Sequence, residues 1–482
     1  MSPDLLKLDP VPTLLRRVRS ELSADFGAAK PIRVSRAPGR LDVMGGIADY
    51  TGSLVCEYPL DRAAAVALSP REDRDLQVFS FNLLDEHKPF TVRVPLDALA
   101  SHPPDVLRRE FDQPGRKWAA YVAGCLVALH VHRRVLDGSV RGMNVALYST
   151  VPPGAGVSSS AAIEVATMMN LYDHLPVHSM RAGEDVAALC QWAENHIVGA
   201  PCGIMDPMTS CLGEAGRLLR MVCQPWSLLP ALELPAGVRV LGIDSAVRHS
   251  VAGGAYGRTR CAAFMGHAII LARMRDLGEA AGRPLQVDPL RGYLANLDPD
   301  DYKNLFRPHL PDSIRGREFL DRYGATTDPV TRVEADVDYA VVHATDHHVL
   351  EARRVRRFCE FLEQAAGQNP GPKRKGLLDR AGHLMYASHL SYTNDAMLGA
   401  PECDLLVRLV REREAAGLYG ARITGGGSGG TVAVLADEGE RADAAVAEIL
   451  DEYEVRTGRA PELFTGTSPG AWAVGTAVVG GG

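Results

Sequence analysis

The apolar positions of the chain change period several times. Residues 12–28 carry them with helical spacing, and short β-rich runs follow at 32–35 (IRVS), 63–69 (AAAVALS) and 77–81 (QVFSF). KWAAYVAGCLVALHVHRRVL (117–136) has helical spacing, with Gly124 its one interior glycine and no proline. MNVALYS (143–149) alternates as a strand, and SSAAIEVATMMNLYDHL (159–175) returns to the helical period. VRVLGIDS (238–245) predicts a strand that opens a second half. Residues 275–340 break the pattern. PLRGYLANLDPDDYKNLFRPHLPDS is crowded with Pro, Asp and Arg and predicts an irregular or short-helical insertion. Helices resume over 347–364 and 375–389, and ARITGGGSGGTVAVL (421–435) is strand, glycine loop, strand. Strands and helices alternate without regular βαβ repeats, which predicts an α+β fold rather than a doubly wound sheet. A chain of 482 residues is too long for one ordinary core. The expected division is 1–236 and 237–482, the second part carrying the 275–340 insertion.

Composition narrows the function without choosing it. Apolar content of 46% and charged content of 23% are those of a globular protein. A net charge of −7 with no long basic run argues against a nucleic-acid partner, while leaving room for a local cationic site. The N-terminus lacks a basic start followed by an apolar core, and no run of about 18 apolar residues occurs, so neither a secretory signal nor a membrane span is expected. The nine cysteines form no C-x-x-C pair and sit mostly in apolar settings, which predicts free thiols in a reducing cytoplasm.

Candidate chemistry gathers at three places. In VPPGAGVSSSAAIEVA (151–166) a strand ends, Gly154 and Gly156 permit tight turns around Ala155, and Ser158, Ser159 and Ser160 open a helix. The first amides of a helix lack internal partners and lie at the positive end of its dipole, so the stretch reads as a phosphate cradle built from backbone. A serine-capped turn would use the same residues. No G-K-[ST] follows, and the third glycine of a dinucleotide fingerprint is missing. GGGSGG (425–430) matches G-x-G-x-x-G but leads into a strand. It predicts either a flexible hairpin or close backbone approach to a ligand. Around a Gly/Pro turn, CQWAENHIVGAPCGIMDPMTSCLGE (190–214) carries Glu194 and Asp206. An acid amid Gly-Ile-Met-Asp-Pro-Met must be paired or desolvated, or it caps a helix. His343 and His347 have the i, i+4 spacing of zinc ligands but no third ligand, and read as solvated or core histidines.

Taken together, RAPGRLDVMGGIADYTGSLV (36–55), PPGAGVSSSAAIEVA, CGIMD (202–206), VRHS (247–250), PECDLLV (401–407) and ITGGGSGGTVAVL resemble, in order and spacing, the galactokinase branch of the GHMP kinase superfamily. The resemblance implies two lobes with the active site between them. It implies transfer of the γ-phosphoryl group of ATP, with Mg²⁺, to a sugar hydroxyl, the anomeric one in galactokinases. By the same resemblance Asp206 lies near the acceptor hydroxyl, with Arg40 as its cationic neighbour. Gly154, Ala155, Gly156, Ser158 and Ser159 match the phosphate cradle, and Ser160 and Glu194 match the magnesium ligands. Trp118 and Tyr121 match an aromatic pair near adenine, although two aromatics on a core helix would look the same. Asp49, Tyr256 and Gly426 match sugar-contacting positions.

One departure bears on substrate. Galactokinases have Glu-His where this chain has Gly46-Ile47, and the family's glutamate faces the hydroxymethyl group of the sugar. DVMGGIADY is more similar to the corresponding run of plant L-arabinokinases. L-arabinopyranose has the ring stereochemistry of D-galactose without the hydroxymethyl carbon. The resulting expectation is a cytoplasmic L-arabinose 1-kinase. D-galactose or another galacto-configured sugar is the alternative, and a non-catalytic sensor of sugar and ATP is a further one.

Overall fold

The computed structural model describes residues 4–27, 30–175, 177, 182–248 and 254–480. Two antiparallel-rich sheets organise it. The first contains β1 (Ile32–Met44), β2 (Leu54–Pro70), β3 (Asp75–Ser80), β4 (Thr91–Pro95), β5 (Met143–Ser149), β6 (Arg217–Val222) and β7 (Ser227–Glu233). The second contains β8 (Val238–Asp244) and three later strands, with a two-stranded ribbon, β9 (Ile314–Arg315) and β10 (Asp338–Tyr339), between them in sequence. Those later strands are β11 (Leu418–Ile423), β12 (Thr431–Asp437) and β13 (Glu462–Phe464), in the spatial order β11-β12-β8-β13.

The sheets change over in the turn 234–237, where the sequence suggested a division. The tail departs from it: β14 (Thr476–Val479) crosses back and pairs with β1, so the chain end lies with the first sheet rather than the second lobe. The exposed edge of β1 supplies unmet backbone groups, and the apolar Ala477 and Val479 pack beside Ile32 and Val34. The helix expected over 12–28 is two, Val11–Glu21 and Ser23–Phe26, separated at the non-helical Leu22, and residue 28 lies outside those described. The break lets Phe26 pack on Phe79. The expected start of the insertion at 275 falls inside the helix Ala255–Ala280, because good helix formers continue the pattern; the irregular part runs over 281–340. It is a series of short helical turns with its own small core, Leu294, Tyr302, Phe306 and Phe319 packed against Met265 and Ile269.

β1 positions the site. Twelve of its thirteen residues are buried, so the half-buried alternation of a surface strand is absent. Its far half is buried on both sides because Leu41, Val43 and Met44 pack with Ala433 and Leu435 of β12 and with Phe358 and Leu362 of the helix Val341–Ala366. The two lobes therefore share one apolar seam, and each buried Leu, Val or Phe in it contributes roughly 1.5–3 kcal/mol. Polar residues on this strand are forced into the interlobe space, where they must find partners. Among the described residues no helix is long and apolar enough to cross a membrane.

Candidate active site

The pairing of β1 with β2 skips between Pro38 and Arg40, and this irregularity aims Arg40. Gly39 lies at the skip with no room for a side chain, since an added Cβ would meet the Val157 carbonyl at 2.6 Å. The Arg40 amide donates to that same carbonyl at 3.1 Å. The guanidinium, 2% exposed, then hydrogen-bonds two acceptors and lies against a further carboxylate. Its Nη1 donates to the Gly156 carbonyl at 2.7 Å, and Nε and Nη2 donate to Asp206 Oδ1 at 3.0 and 2.6 Å. Nε also lies 3.0 Å from Glu57 Oε2. One buried cation thus joins the glycine loop, Asp206 and the interior of β2. Asp206 lies inside the helix Met205–Leu212, whose N-cap is Ile204, so it is not a cap.

The glycine loop has left-handed backbone at alternate residues, Gly154, Gly156 and Ser158 (φ 70°, 73° and 61°). Such alternation turns successive amides towards one side, the arrangement of an anion nest. Ser158 is the N-cap of the helix Ser159–His174, yet its side chain does not cap and its buried hydroxyl has no partner. The Ser159 hydroxyl donates to the Val151 carbonyl at 3.3 Å. Glu194 is a buried carboxylate pushed up to about 7, first by burial and also by the nearby charge of Asp206, with Ser160 close enough to oppose the shift. Tyr121 lies among the charges of Glu194 and Glu164, and Trp118, half-buried, donates Nε1 to the Gly115 carbonyl at 2.9 Å.

The second glycine loop, between β11 and β12, approaches backbone rather than open space. A Cβ on Gly425 would meet the Gly156 carbonyl at 2.8 Å, and one on Gly430 would meet the Ala155 carbonyl at 2.6 Å. Thr431 Oγ1 donates to that Ala155 carbonyl at 2.8 Å. The two glycine-rich stretches are packed on each other, and only Gly426 of this loop faces the Tyr256 ring.

The turn after β1 carries the other expected residues. Asp49 is 3% exposed; its Oδ1 accepts from the Tyr50 amide at 2.6 Å and its Oδ2 has no partner. Burial, then the charge of Asp206, raises its carboxyl to about 7. Gly203, in the segment that leads to Asp206, packs so closely on Asp49 that any side chain there would overlap the carboxylate. Tyr256 stands edge-on to Tyr50, with ring centroids 5.9 Å apart. Gly46 and Ile47 are covered by Tyr392. Its hydroxyl accepts from the Ile47 amide at 2.9 Å, donates to the Gly425 carbonyl at 2.9 Å, and fills the place a Cβ on Gly46 would take. Gly46 also has φ of +49°, and a carboxylate side chain at this position has no space.

Of the residues the sequence singles out, the structure joins Arg40, Asp206 and the glycine loop directly and sets Asp49 and Glu194 in the field of Asp206. Sequence reading misses Glu57, Tyr392 and the fully buried pair Asp42–Arg422, whose Nη1 and Oδ1 are 2.8 Å apart. Glu57 and Arg422 leave a detectable signal, an ion inside an otherwise apolar strand pattern. Tyr392, on a long helix of ordinary spacing, leaves none. His347 and His348 are core residues: His347 Nδ1 lies 2.9 Å from the Ser391 hydroxyl, and His348 Nε2 3.0 Å from Tyr50 Oη.

The chain matches the models for the GHMP kinases N terminal domain over residues 120–214 and the GHMP kinases C terminal domain over 374–455. Residues 20–70 match the galactokinase galactose-binding signature. The chain is 37% identical, over 95% of its length, to L-arabinokinase of Arabidopsis thaliana, and spans 48% of that protein. It is 33% identical to galactokinase of Chloroflexus aggregans, covering 89% of this chain and 90% of that one. The galactokinase of Lactococcus lactis, solved in complex with galactose, shares the fold with a TM-score of 0.71 at 20% identity, covering 95% of this chain and 98% of that one.

Glu57 makes a stability prediction. Three carboxylates, Asp42, Glu57 and Asp206, meet two guanidiniums, Arg40 and Arg422. Neither Glu57 oxygen has a hydrogen bond, and burial, then Asp42, drives its carboxyl well above the usual range. A raised carboxyl costs stability as pH climbs past the unfolded-state value, because only the unfolded chain ionises freely. Glu57→Gln is therefore expected to raise the Tm at pH 8, and the gain should vanish in melts below the ordinary carboxylate range. A Tm gain independent of pH would contradict it.

Proposed function

From the premise that this chain belongs to the GHMP kinase family and is a sugar kinase, we propose that it phosphorylates L-arabinose at the anomeric hydroxyl, giving L-arabinose 1-phosphate and ADP. The observation that carries the sugar assignment is Tyr392 over Gly46 and Ile47. That wall is filled by the protein itself: the Tyr392 hydroxyl is already engaged by the Ile47 amide and the Gly425 carbonyl, and neither Gly46 nor Ile47 brings a polar side chain to meet a hydroxymethyl oxygen. A hydroxymethyl oxygen buried against it would lose about 1–3 kcal/mol for want of a partner. L-arabinopyranose has no such group. The similarity to L-arabinokinase over 95% of the chain supports the same reading.

In this reading the anomeric oxygen attacks the γ-phosphorus of ATP, the bond to the β,γ-bridging oxygen breaks, and the hydroxyl proton passes to Asp206. Both bonds from Arg40 to Asp206 fall on Oδ1, which fixes the carboxylate's direction. Arg40 also supplies positive charge where the phosphoryl group transfers. The amides of Gly154–Ser160 receive the phosphates, and Trp118 and Tyr121 flank the adenine. Asp49, Tyr256 and Gly426 enclose the sugar, with the unpartnered Oδ2 of Asp49 as acceptor for a hydroxyl. Ser160 and Glu194, set close to each other, are two hard oxygen donors that suit Mg²⁺. When bound, that ion neutralises phosphate charge. With free thiols throughout and no membrane-spanning helix among the described residues, we read the enzyme as cytoplasmic.

Three measurements test this. In a panel of L-arabinose, D-galactose and D-galacturonate with Mg²⁺ and ATP, kcat/KM is expected to be highest for L-arabinose, with phosphate on C1 by NMR. A preference for D-galactose would transfer the assignment to galactokinase, and sugar and ATP binding without ADP release would leave a sensor. Asp206→Asn is expected to lower kcat by about a thousandfold with ATP affinity retained, and near-normal turnover would remove its role as base. Glu194 must be ionised to hold a cation, and its carboxyl sits at about 7. Apparent Mg²⁺ affinity is therefore expected to fall about tenfold from pH 8 to pH 6, by titration calorimetry, with proton release on binding.

A further inference from the structure

The segment 281–340 takes no part in the glycine loop or the Arg40 cluster, yet it buries one charged side chain completely. Asp328 forms a bidentate pair with Arg260 of the helix Ala255–Ala280, Oδ2 to Nε at 2.9 Å and Oδ1 to Nη2 at 2.8 Å. The side chains are 0% and 5% exposed. The remaining Asp328 acceptor sites take the Val330 amide, the Thr331 amide and the Thr331 hydroxyl. A buried ion pair is weak evidence for stability, since desolvation offsets much of its attraction; what it supplies is fixed geometry. Here the fixed group is the Arg260 fork.

Arg260 uses its other surfaces on the sugar side. Its guanidinium carbon lies 4.9 Å from the centroid of the Tyr50 ring, and Nη1 donates to the Cys202 carbonyl at 3.3 Å. Tyr50 follows Asp49 in sequence, and Cys202 precedes the Gly203 that makes room for Asp49. One arginine therefore grips both segments that enclose the Asp49 carboxylate. The insertion touches the same turn a second time, where the Tyr293 ring packs against Gly52 too closely for any side chain there. Asp49 Oδ2 is buried without a partner while a cation is held nearby in its field. Freed from Asp328, that cation would have an unpaired carboxylate within its surroundings and would compete for the oxygen a sugar hydroxyl needs.

We propose that the insertion is a substrate-positioning element: Asp328 holds Arg260 away from Asp49 and against Tyr50 and Cys202, so that the unpartnered oxygen of Asp49 stays available to the sugar. Asp328 and Arg260 are positioning residues, and the proposal rests on the reading of Asp49 as a sugar ligand.

Asp328→Asn keeps the shape and removes the charge. It is expected to raise the KM for L-arabinose, or for whichever sugar the panel prefers, about tenfold, while the KM for ATP changes by less than about twofold. A purely structural role would lower the melting temperature and the active fraction without splitting the two KM values. An unchanged sugar KM in the folded variant would overturn the proposal. Coupling is reciprocal, so the wild-type enzyme provides a second readout that needs no variant. Saturating sugar should slow hydrogen exchange at the Val330 and Thr331 amides, which bond Asp328. If Asp328→Asn does not fold, unchanged exchange at these amides overturns the proposal. Asp49→Asn separates the two layers. If it leaves the sugar KM unaltered, the sugar site itself is misread; if it raises that KM while Asp328→Asn does not, only the positioning role fails.

Discussion

The buried guanidinium of Arg40 is the interaction on which the site depends. A cation 2% exposed to solvent is held in place only if every direction around it is answered, and here Gly156, Asp206 and Glu57 answer it. Each answer comes from a different part of the chain. The glycine loop precedes the helix Ser159–His174, Asp206 lies in the helix Met205–Leu212, and Glu57 belongs to β2. Removing the charge would leave several buried acceptors unmet at once, which is far more costly than losing one surface pair. The irregularity at Gly39 is what brings a strand residue into this position.

Around that charge, the two glycine-rich loops are best understood as one object. Their backbones approach each other so closely that Gly425, Gly430 and Gly156 have no room for side chains, and Thr431 and Arg40 hold the carbonyls that the loops expose. The loop from the second sheet thereby braces the glycine loop of the first. Tyr392 extends the brace to the turn after β1, since its single hydroxyl bonds both Gly425 and Ile47. The two loops and the Gly46–Ile47 turn are one hydrogen-bonded and sterically closed chain of contacts.

The carboxylates divide by environment. Glu194 and Asp49 sit near neutrality because burial opposes their charge while hydrogen bonds or a nearby cation support it. Glu57 has burial and like charge against it and no hydrogen bond in its favour, so it stands well above the usual range. Groups of one chemical type are thus shifted to different extents within one cluster, according to what surrounds each.

Much of this was legible in the sequence, for a local reason. Apolar period fixed the strand Met143–Ser149 to the residue and the helix Ser159–His174 to within one, and the glycine spacing marked a loop whose conformation only glycine adopts readily. Asp206 stood out because its apolar neighbours could not satisfy a charge, and Arg40, Asp49 and Glu194 were assigned through the family resemblance of the motifs that hold them. What the sequence did not carry was which distant groups would. The contacts of Glu57, Tyr392, Arg260 and Asp328 depend on how strands and helices far apart in the chain are brought together. The return of Thr476–Val479 to the first sheet is of the same kind. Period and local conformation are properties of neighbouring residues, so the sequence determined the elements and the charges that needed partners. Partnership is a property of packing, and only the tertiary structure decided that a tyrosine would fill the space over Gly46 and that Asp328 of the insertion would pair with the buried Arg260.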